Sequence, residues 1–416
     1  RLDGAAAHRR ALHRTVSSLI THFNPFSIAR LPRIEFGCGA FSRTAELTAQ
    51  FGRRALIVTG ASSFPASERW HQLLQQLSTL GISYEHVTID GEPSPEMVDA
   101  AVDEYAAANI EVVVGIGGGS AMDAAKAIAG LLRVKQSVMD FLEGVGPELP
   151  YNGPAVPLIA LPTTAGTGSE ATKNSVLSRQ GSDGFKKSFR DDRLVAEVAI
   201  VDPELLSTCP GDVIAANGMD ALTQLIESYV SIKANVFNDA LGISGLRAAR
   251  DGLVRLYQSE GADAPARERM AYASLISGIN LAQTGLGSVH GLASPLGAFY
   301  PVPHGIVCGT LVAAATEMNI NAMLEREPDN AAIKRYARIS EVLSQKRFRS
   351  TSEALDKLVE LLQQWTYDLQ LEKLSRYGLE SSALDHVVEH SRGSSMKTNP
   401  IVLSDEEIKA ILIERM

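Results

Sequence analysis

The chain has 416 residues, of which 45% are hydrophobic and 21% are charged, and it carries a formal net charge of −9 at pH 7. This length exceeds what a single hydrophobic core usually supports, so we expect two domains. The negative balance, together with the lack of any run of lysine and arginine, argues against nucleic acid or an anionic membrane as a partner. We therefore expect a small-molecule ligand.

The cysteine content and the apolar segments favour a cytoplasmic protein. Cys38, Cys209 and Cys308 are far apart in the chain and fit neither a disulfide framework nor a Cys-x-x-Cys metal motif. Proline and glycine interrupt the apolar stretches, so we expect no membrane-spanning segment. The basic segment 1–14 is not followed by a signal-type apolar core, so we expect no export signal.

Short apolar runs alternate with helical patterns between about residues 34 and 203. Strands are predicted at 55–59, 84–89, 111–116, 156–161 and 198–201, and helices at 67–80 and 95–108. This alternation is typical of a parallel sheet covered by helices, which predicts an α/β, Rossmann-like dinucleotide-binding domain over residues 1–204. The turn-rich segment 174–189 predicts a hairpin or a lid.

Helical periodicity replaces the strand pattern after Pro203. It predicts helices at 212–233, 238–256, 265–283, 304–319, 329–342, 352–362 and 405–412, and hence an all-helical domain over residues 205–416. Ligands of open parallel sheets bind at the carboxyl ends of the strands. We therefore expect the active site in the cleft between the two domains.

Two loops that follow predicted strands are suited to holding a nucleotide. Gly117, Gly118, Gly119 and Ser120 precede a predicted helix start, where backbone amides can bind a phosphate. This run matches neither G-x-G-x-x-G nor a P-loop, so a purely structural turn stays open. The second loop, residues 163–170, is rich in threonine and glycine; its alternative is a surface turn.

The helical half contains residues that suit a metal site. Asp220 and Gln224 lie one turn apart on the same face of a predicted helix, and His290 and His304 follow later, His304 at a predicted helix start. A carboxylate, two imidazoles and an amide oxygen suit Zn²⁺ or Fe²⁺. Taken singly, each residue also fits a structural role such as a cap or a core histidine.

The chain resembles the iron-containing, or group III, alcohol dehydrogenase family from about Pro32 to the C-terminus. The matching motifs are Gly117-Gly-Gly-Ser120-x-x-Asp123-x-x-Lys126, Pro162-Thr-Thr-Ala-Gly-Thr-Gly-Ser-Glu170, Ala199-Ile-Val-Asp-Pro203, Asp220-Ala-Leu-Thr, His290-Gly-Leu-Ala-Ser-Pro-Leu-Gly297, Pro303-His-Gly305 and Asn399-Pro400. The resemblance implies a dinucleotide-binding domain, a helical metal-binding domain and the NAD(P)-linked interconversion of alcohols with aldehydes or ketones. We also expect a homo-oligomer.

The resemblance assigns roles to particular residues. It implies that Asp220, His290 and His304 are catalytic metal ligands, with Fe²⁺ or Zn²⁺ acting as a Lewis acid on the substrate oxygen. It places Gly117, Gly118, Gly119, Ser120 and Asp123 at the dinucleotide. It places Thr163, Thr164 and Thr167 around the pyrophosphate and the nicotinamide.

This sequence departs from the family pattern at three positions. Gln224 replaces a second histidine ligand, so the site either accepts a weaker amide oxygen or uses three protein ligands. Ser294 replaces a histidine that is thought to assist proton transfer. Gly60 stands where NAD-preferring members carry an aspartate, and with the hydroxyl of Ser62 nearby this favours NADP(H), although binding of both cofactors stays open.

The substrate and the reaction class are less constrained. Lys173 and Lys186 are candidates to meet a carboxylate or phosphate of the substrate, or, for Lys186, the cofactor phosphate; Phe189, Phe299 and Tyr300 are candidate apolar walls. A dehydroquinate synthase-like lyase, a metal-free maleylacetate-type reductase and a hydroxyacid-oxoacid transhydrogenase are alternatives on the same architecture. A nucleotide-sensing module is a further alternative, but it would need no metal set.

Overall fold

The computed structural model describes residues 25–181 and 183–416, so the basic segment 1–14 lies outside the described residues. The strands are β1 Arg33–Phe36, β2 Arg54–Gly60, β3 Ser83–Ile89, β4 Val112–Gly117, β5 Leu158–Pro162, β6 Asn174–Arg179, β7 Phe185–Arg190 and β8 Val198–Val201. Six of them form one sheet in the order β1-β8-β5-β4-β2-β3, and all of its pairings are parallel. The predicted parallel sheet is confirmed.

The N-terminal helices cover both faces of this sheet. They are α1 Thr44–Ala49, α2 Glu68–Thr79, α3 Pro95–Tyr105 and α4 Gly119–Leu131. The hydroxyls of Ser67 and Ser94 cap α2 and α3 by accepting backbone N–H groups. All residues of β4 are buried, as expected for a central strand with helices packed on both faces.

The C-terminal half is helical, as predicted. Its helices are α5 Gly211–Val230, α6 Val236–Gln258, α7 Ala264–Thr284, α8 Ser288–Phe299, α9 His304–Arg326, α10 Ala331–Ser344, α11 Thr351–Asp368, α12 Leu384–His390 and α13 Asp405–Glu414. They enclose one large hydrophobic core. The predicted domain boundary near residue 204 falls between the end of β8 and the start of α5.

By length and composition alone, helix α9 could cross a membrane, although the sequence analysis predicts no such segment. In the fold, 78% of its apolar 18-residue stretch is buried inside the protein. Packing in the core of the helical half accounts for its apolar composition.

The two halves come very close together at the glycines of the threonine-rich loop. A Cβ on Gly168 would lie 2.5 Å from the backbone of Gly278 in α7, and a Cβ on Gly166 would lie 2.7 Å from the Cβ of Asn217 in α5. Gly168 also has a φ of +61°, which favours glycine. The glycines of the threonine-rich loop therefore allow this loop to seat directly on the helical half.

The predicted hairpin is present as β6 and β7, which pair antiparallel. It leans on the helical half, because the hydroxyl of Ser294 in α8 donates to the Lys186 carbonyl at 2.9 Å. This hairpin therefore joins the two halves beside the cleft between them.

Candidate active site and metal centre

Residues 117–120, which we call the glycine bend, link β4 to the N-terminus of α4. Gly118 is the N-cap residue of α4 and provides no side-chain cap. A Cβ on Gly117 would lie 2.6 Å from the Cβ of Ala121, and one on Gly119 would lie 2.9 Å from Thr167 Cγ2. The absence of side chains in the bend therefore lets a ligand approach the N-terminal backbone of the helix.

The threonine-rich loop packs directly against this bend. The backbone N–H of Thr163 donates to the Gly117 carbonyl at 2.9 Å. A Cβ on Gly118 would lie 3.3 Å from Thr164 Oγ1. The ends of β4 and β5 thus bring the two loops that the sequence singled out into one continuous surface.

A buried lysine fixes the relative position of the two loops. Lys126 Nζ donates to Ser169 Oγ at 2.7 Å, to Thr172 Oγ1 at 2.8 Å and to the Asn174 carbonyl at 2.7 Å. Ser169 Oγ in turn donates to Asp123 Oδ1 at 2.7 Å. Burial lowers the pKa of Lys126 to about 8, although Asp123 opposes this shift. Asp123 therefore anchors the loop as well as facing the cleft.

Three helices bring Asp220, His290 and His304 together. Asp220 in α5 is fully buried, and its Oδ1 lies 3.1 Å from His290 Nε2 and 3.7 Å from His304 Nε2. His290 lies near the start of α8, and His304 is the first residue of α9. The three side chains that the family resemblance assigned to a metal thus lie within reach of one ion.

Cys308 is a fourth member of this cluster that the sequence reading missed. Its Sγ lies 3.5 Å from His290 Nε2 and 3.6 Å from His304 Nε2. The ligating atoms of Asp220, His290, His304 and Cys308 all lie within 4.8 Å of one another. The spacing of four residues between His304 and Cys308 was a usable signal, because such residues share a helix face.

Glu227 orients His290 from behind. Its Oε1 accepts the backbone N–H of Val289 at 2.7 Å, and its Oε2 accepts the Nδ1–H of His290 at 2.6 Å. This contact keeps a proton on Nδ1 and leaves Nε2 as the nitrogen that faces Asp220. The arrangement is the one that proteins use to present an imidazole to a metal.

Burial and charge prepare these groups to act as ligands. Burial would raise the pKa of Asp220, but the facing imidazoles of His304 and His290 lower it to about 2. Burial lowers the pKa of His304 to about 4, so its imidazole is neutral at pH 7. Burial raises the pKa of Cys308 to about 12. Asp220 and His304 therefore need no proton removal before they bind a cation. Burial would lower the pKa of His290, but the facing Cys308 and Glu227 raise it well above its usual value, so His290 loses a proton when a cation binds.

The bend and the cluster line the same cavity of about 1890 Å³ between the two halves. The site residues that line it are Gly118, Gly119, Ser120, Asp123, Thr164, Thr167, Lys186, Gln224, His290 and His304. Asp220 lies behind its histidines, fully buried. Gly60 and Ser62 are not in the cavity lining. Gly60 ends β2 next to the bend, where a Cβ on Gly117 would lie 3.4 Å from the Gly60 nitrogen, and Ser62 follows two residues later.

Comparison with known proteins gives the family. The model described as iron-containing alcohol dehydrogenase matches residues 32–203, and that of the family's C-terminal domain matches residues 214–416. Alcohol dehydrogenase 4 of Saccharomyces cerevisiae is 31% identical over 91% of this chain and 95% of its own length. The chain belongs to the iron-containing alcohol dehydrogenase family.

Other relatives extend the match. Long-chain-alcohol dehydrogenase 1 of Geobacillus thermodenitrificans is 32% identical over 92% of this chain and 96% of its own length. The crystal structure of an archaeal halo-thermophilic alcohol dehydrogenase from a Red Sea brine pool aligns with a TM-score of 0.86 at 27% identity, over 95% of this chain and all of that one. The chain is an NAD(P)-dependent alcohol dehydrogenase, and the lyase, metal-free reductase, transhydrogenase and sensor alternatives are not favoured.

In this dehydrogenase the Gln224 amide is turned away from the metal cluster. Its Nε2 donates to Asp220 Oδ1 at 3.3 Å, and its Oε1 accepts the hydroxyl of Ser277 at 3.0 Å. The atom facing the cluster is therefore a nitrogen without a free lone pair. Gln224 holds the Asp220 carboxylate in place and does not present its oxygen as a ligand.

Of the other candidate residues, Lys186 lines the cavity, whereas Lys173 and Phe189 do not. Lys186 reaches the cavity, where its Nζ pairs with Glu92 at 2.5 Å. Lys173 pairs with Asp192 at 2.8 Å and lies outside the cavity lining. Phe189 is 1% exposed and packs in the core of the α/β half, so it is not a wall of the cleft. Phe299 stacks on His386 instead, with ring centroids 4.5 Å apart.

Proposed function

We propose that this dehydrogenase holds a divalent metal ion between Asp220, His290 and His304, facing a nicotinamide dinucleotide bound at the two loops. The observation that carries the proposal is the shared cavity, which is lined both by the glycine bend and by the two histidines. Its volume of about 1890 Å³ leaves room for a dinucleotide together with a small substrate.

The residues fit a metal ion. Asp220 Oδ2 is buried and has no hydrogen-bond partner among the described residues, although a carboxylate oxygen in such a place normally has one. A carboxylate with two imidazoles is a donor set for Zn²⁺ or Fe²⁺. When bound, the ion supplies Lewis acidity to the substrate oxygen, and the nicotinamide supplies or accepts the hydride.

The chain itself contributes position and electrostatics. Glu227 fixes the tautomer of His290, and Gln224 fixes the carboxylate of Asp220, so neither ligand reorganises during turnover. Lys126 and Asp123 hold the threonine-rich loop against the glycine bend. These contacts hold the two loops that would bind the dinucleotide in one arrangement.

We further propose a preference for NADP(H). Gly60 follows Thr59 at the end of β2, and open space surrounds the position where its side chain would begin. Without a carboxylate there, nothing at this position repels a 2′-phosphate, and Ser62 is an exposed hydroxyl donor nearby.

The remaining assignments rest on the sequence. We propose a small alcohol or aldehyde as substrate, with the Lys186–Glu92 ion pair lining its end of the cleft. We also propose a homo-oligomer in the cytoplasm. A screen of alcohols, aldehydes and 2-oxoacids with both nicotinamide cofactors, together with light scattering of the purified protein, tests these points.

The experiment that tests the central proposal compares metal content, cofactor binding and turnover in Asp220→Ala and in the wild type. We expect the variant to lose the metal and about a thousandfold in kcat, since several kcal/mol of charge stabilisation are removed, while it still binds the dinucleotide. Asp356→Ala, an exposed residue of α11, is the matched control. Full turnover in metal-free Asp220→Ala would contradict the proposal.

A further inference from the structure

Cys308 in α9 lies against both histidines of the proposed metal site. It is fully buried, and its sulfur is nearly equidistant from the two imidazole nitrogens, at 3.5 Å from His290 Nε2 and 3.6 Å from His304 Nε2. Both of these nitrogens are the ones that face Asp220. The sulfur therefore points at the same place as the carboxylate.

Four of the six distances among these atoms are close to the distances between the corners of a tetrahedron around one ion. With Zn–S near 2.3 Å and Zn–N near 2.0–2.1 Å, tetrahedral angles place a sulfur about 3.6 Å from a nitrogen. The two measured sulfur–nitrogen distances are 3.5 and 3.6 Å. The same arithmetic places a nitrogen about 3.3 Å from a carboxylate oxygen, and the measured distances are 3.1 and 3.7 Å.

The position one turn after Asp220 does not supply the fourth corner. Gln224 directs its amide nitrogen at Asp220 and its oxygen at Ser277. Helix α9 supplies a donor instead, because His304 and Cys308 are four residues apart and lie on one face of it. In residues 25–181 and 183–416, Asp220 Oδ2 is buried and has no hydrogen-bond partner.

We propose that the Cys308 thiolate is the fourth protein ligand of the metal and that it makes the site selective for zinc over iron. The inference rests on the proposed metal centre and adds one residue and a metal preference to it. Thiolate is a soft ligand that selects zinc, whereas imidazole and carboxylate also suit iron, so adding a thiolate widens the preference for zinc. The thiol loses its proton when the ion binds, so metal uptake releases a proton.

The test uses cobalt, which replaces zinc and gives a near-ultraviolet charge-transfer band only when a thiolate is bound to it. The chain has three cysteines, so a Cys38→Ser/Cys209→Ser protein retains Cys308 alone. Cys38 is exposed and Cys209 is partly exposed, which makes this double variant a suitable background for folding. We expect the cobalt-loaded double variant to show the band at wild-type intensity.

A second comparison measures the metal preference. In Cys308→Ser we expect the charge-transfer band to disappear and the zinc dissociation constant to rise at least about tenfold. Loss of a residue that contacts a metal ligand but not the ion already raises this constant about tenfold, and loss of a direct ligand should raise it at least as much. The dissociation constant for Fe²⁺ should change less, so the zinc-to-iron selectivity falls. Competition titrations with a chromogenic chelator, made anaerobically for iron, give both constants.

The outcomes separate this inference from the metal centre beneath it. Cobalt bound at one equivalent per chain without a charge-transfer band would overturn the role of Cys308 and leave the metal centre intact. An unchanged zinc-to-iron selectivity in Cys308→Ser would overturn the metal preference. A protein that binds no cobalt, zinc or iron at all would overturn both.

Discussion

Replacing Glu227 by glutamine tests whether the contact behind His290 serves the metal. The amide oxygen of Gln can still accept the Val289 N–H, which Glu227 Oε1 accepts at 2.7 Å. The amide nitrogen would then face His290 Nδ1, where Oε2 now accepts a hydrogen bond at 2.6 Å. Two donors meet at this point, so the proton on Nδ1 is disfavoured, and a proton held on Nε2 instead would occupy the lone pair that binds the metal.

The expected magnitude follows from that one contact. A hydrogen bond to a charged group contributes about 1.5–3 kcal/mol, which corresponds to about 10- to 100-fold in a binding constant. Loss of an outer partner of a ligating histidine gives a similar range. We therefore expect Glu227→Gln to raise the zinc dissociation constant by about 10- to 100-fold.

The assay is a competition titration of zinc against a chromogenic chelator, with dinucleotide affinity measured on the same protein. Glu341→Gln is the control, because Glu341 is a carboxylate paired with Arg338 on α10, outside the cleft lining. Dinucleotide affinity should be unchanged in both variants. A zinc dissociation constant within a factor of about two of wild type in Glu227→Gln would refute the reasoning.

Further predictions concern the cofactor loops and the pH dependence of stability. Gly60→Asp has open space for its side chain and should lower the ratio of kcat/KM for NADPH to that for NADH at least about tenfold by like-charge repulsion; an unchanged ratio would contradict the NADP(H) assignment. Gly119→Ala should raise the KM for the dinucleotide and cost about 1–3 kcal/mol of stability by overpacking, because its Cβ would lie 2.9 Å from Thr167. Asp356→Ala, at an exposed residue of α11 outside the cavity lining, is the control and should change neither quantity. Burial raises the pKa of Glu170 to about 7 from 4.5, so its contribution to stability is present below pH 4.5 and is lost as the pH rises through 7. The Tm of Glu170→Gln relative to wild type should therefore increase between about pH 5 and pH 8, and a constant difference would show that Glu170 titrates normally.

The elements that the sequence predicted are those whose signals are local. The buried strands and the glycine bend follow from short apolar runs and from glycines next to a helix start, and the structure has them there. Helix α8 was missed because it contains Pro295 and two glycines, which disfavour an isolated helix. Its burial in the core supplies stability that a local reading does not see.

In the metal cluster, too, the features that depend on packing could not be predicted from local sequence. Asp220, His290 and His304 were chosen through a family resemblance, since their meeting depends on how three helices pack. The orientation of Gln224 is set by Ser277 of α7, which is 53 residues away in the chain. Cys308 could have been found from its spacing to His304, but that spacing acquires meaning only once His304 is known to face Asp220.

Anomalous diffraction at the absorption edges of zinc and iron, from crystals of the active enzyme with NADP(H), tests the account most directly. We predict one ion bonded to Asp220, His290 and His304, with the nicotinamide on the cleft side of the histidines and the phosphates at the glycine bend. An active enzyme whose crystals place the metal elsewhere, or the phosphates away from Gly118 and Gly119, would contradict it.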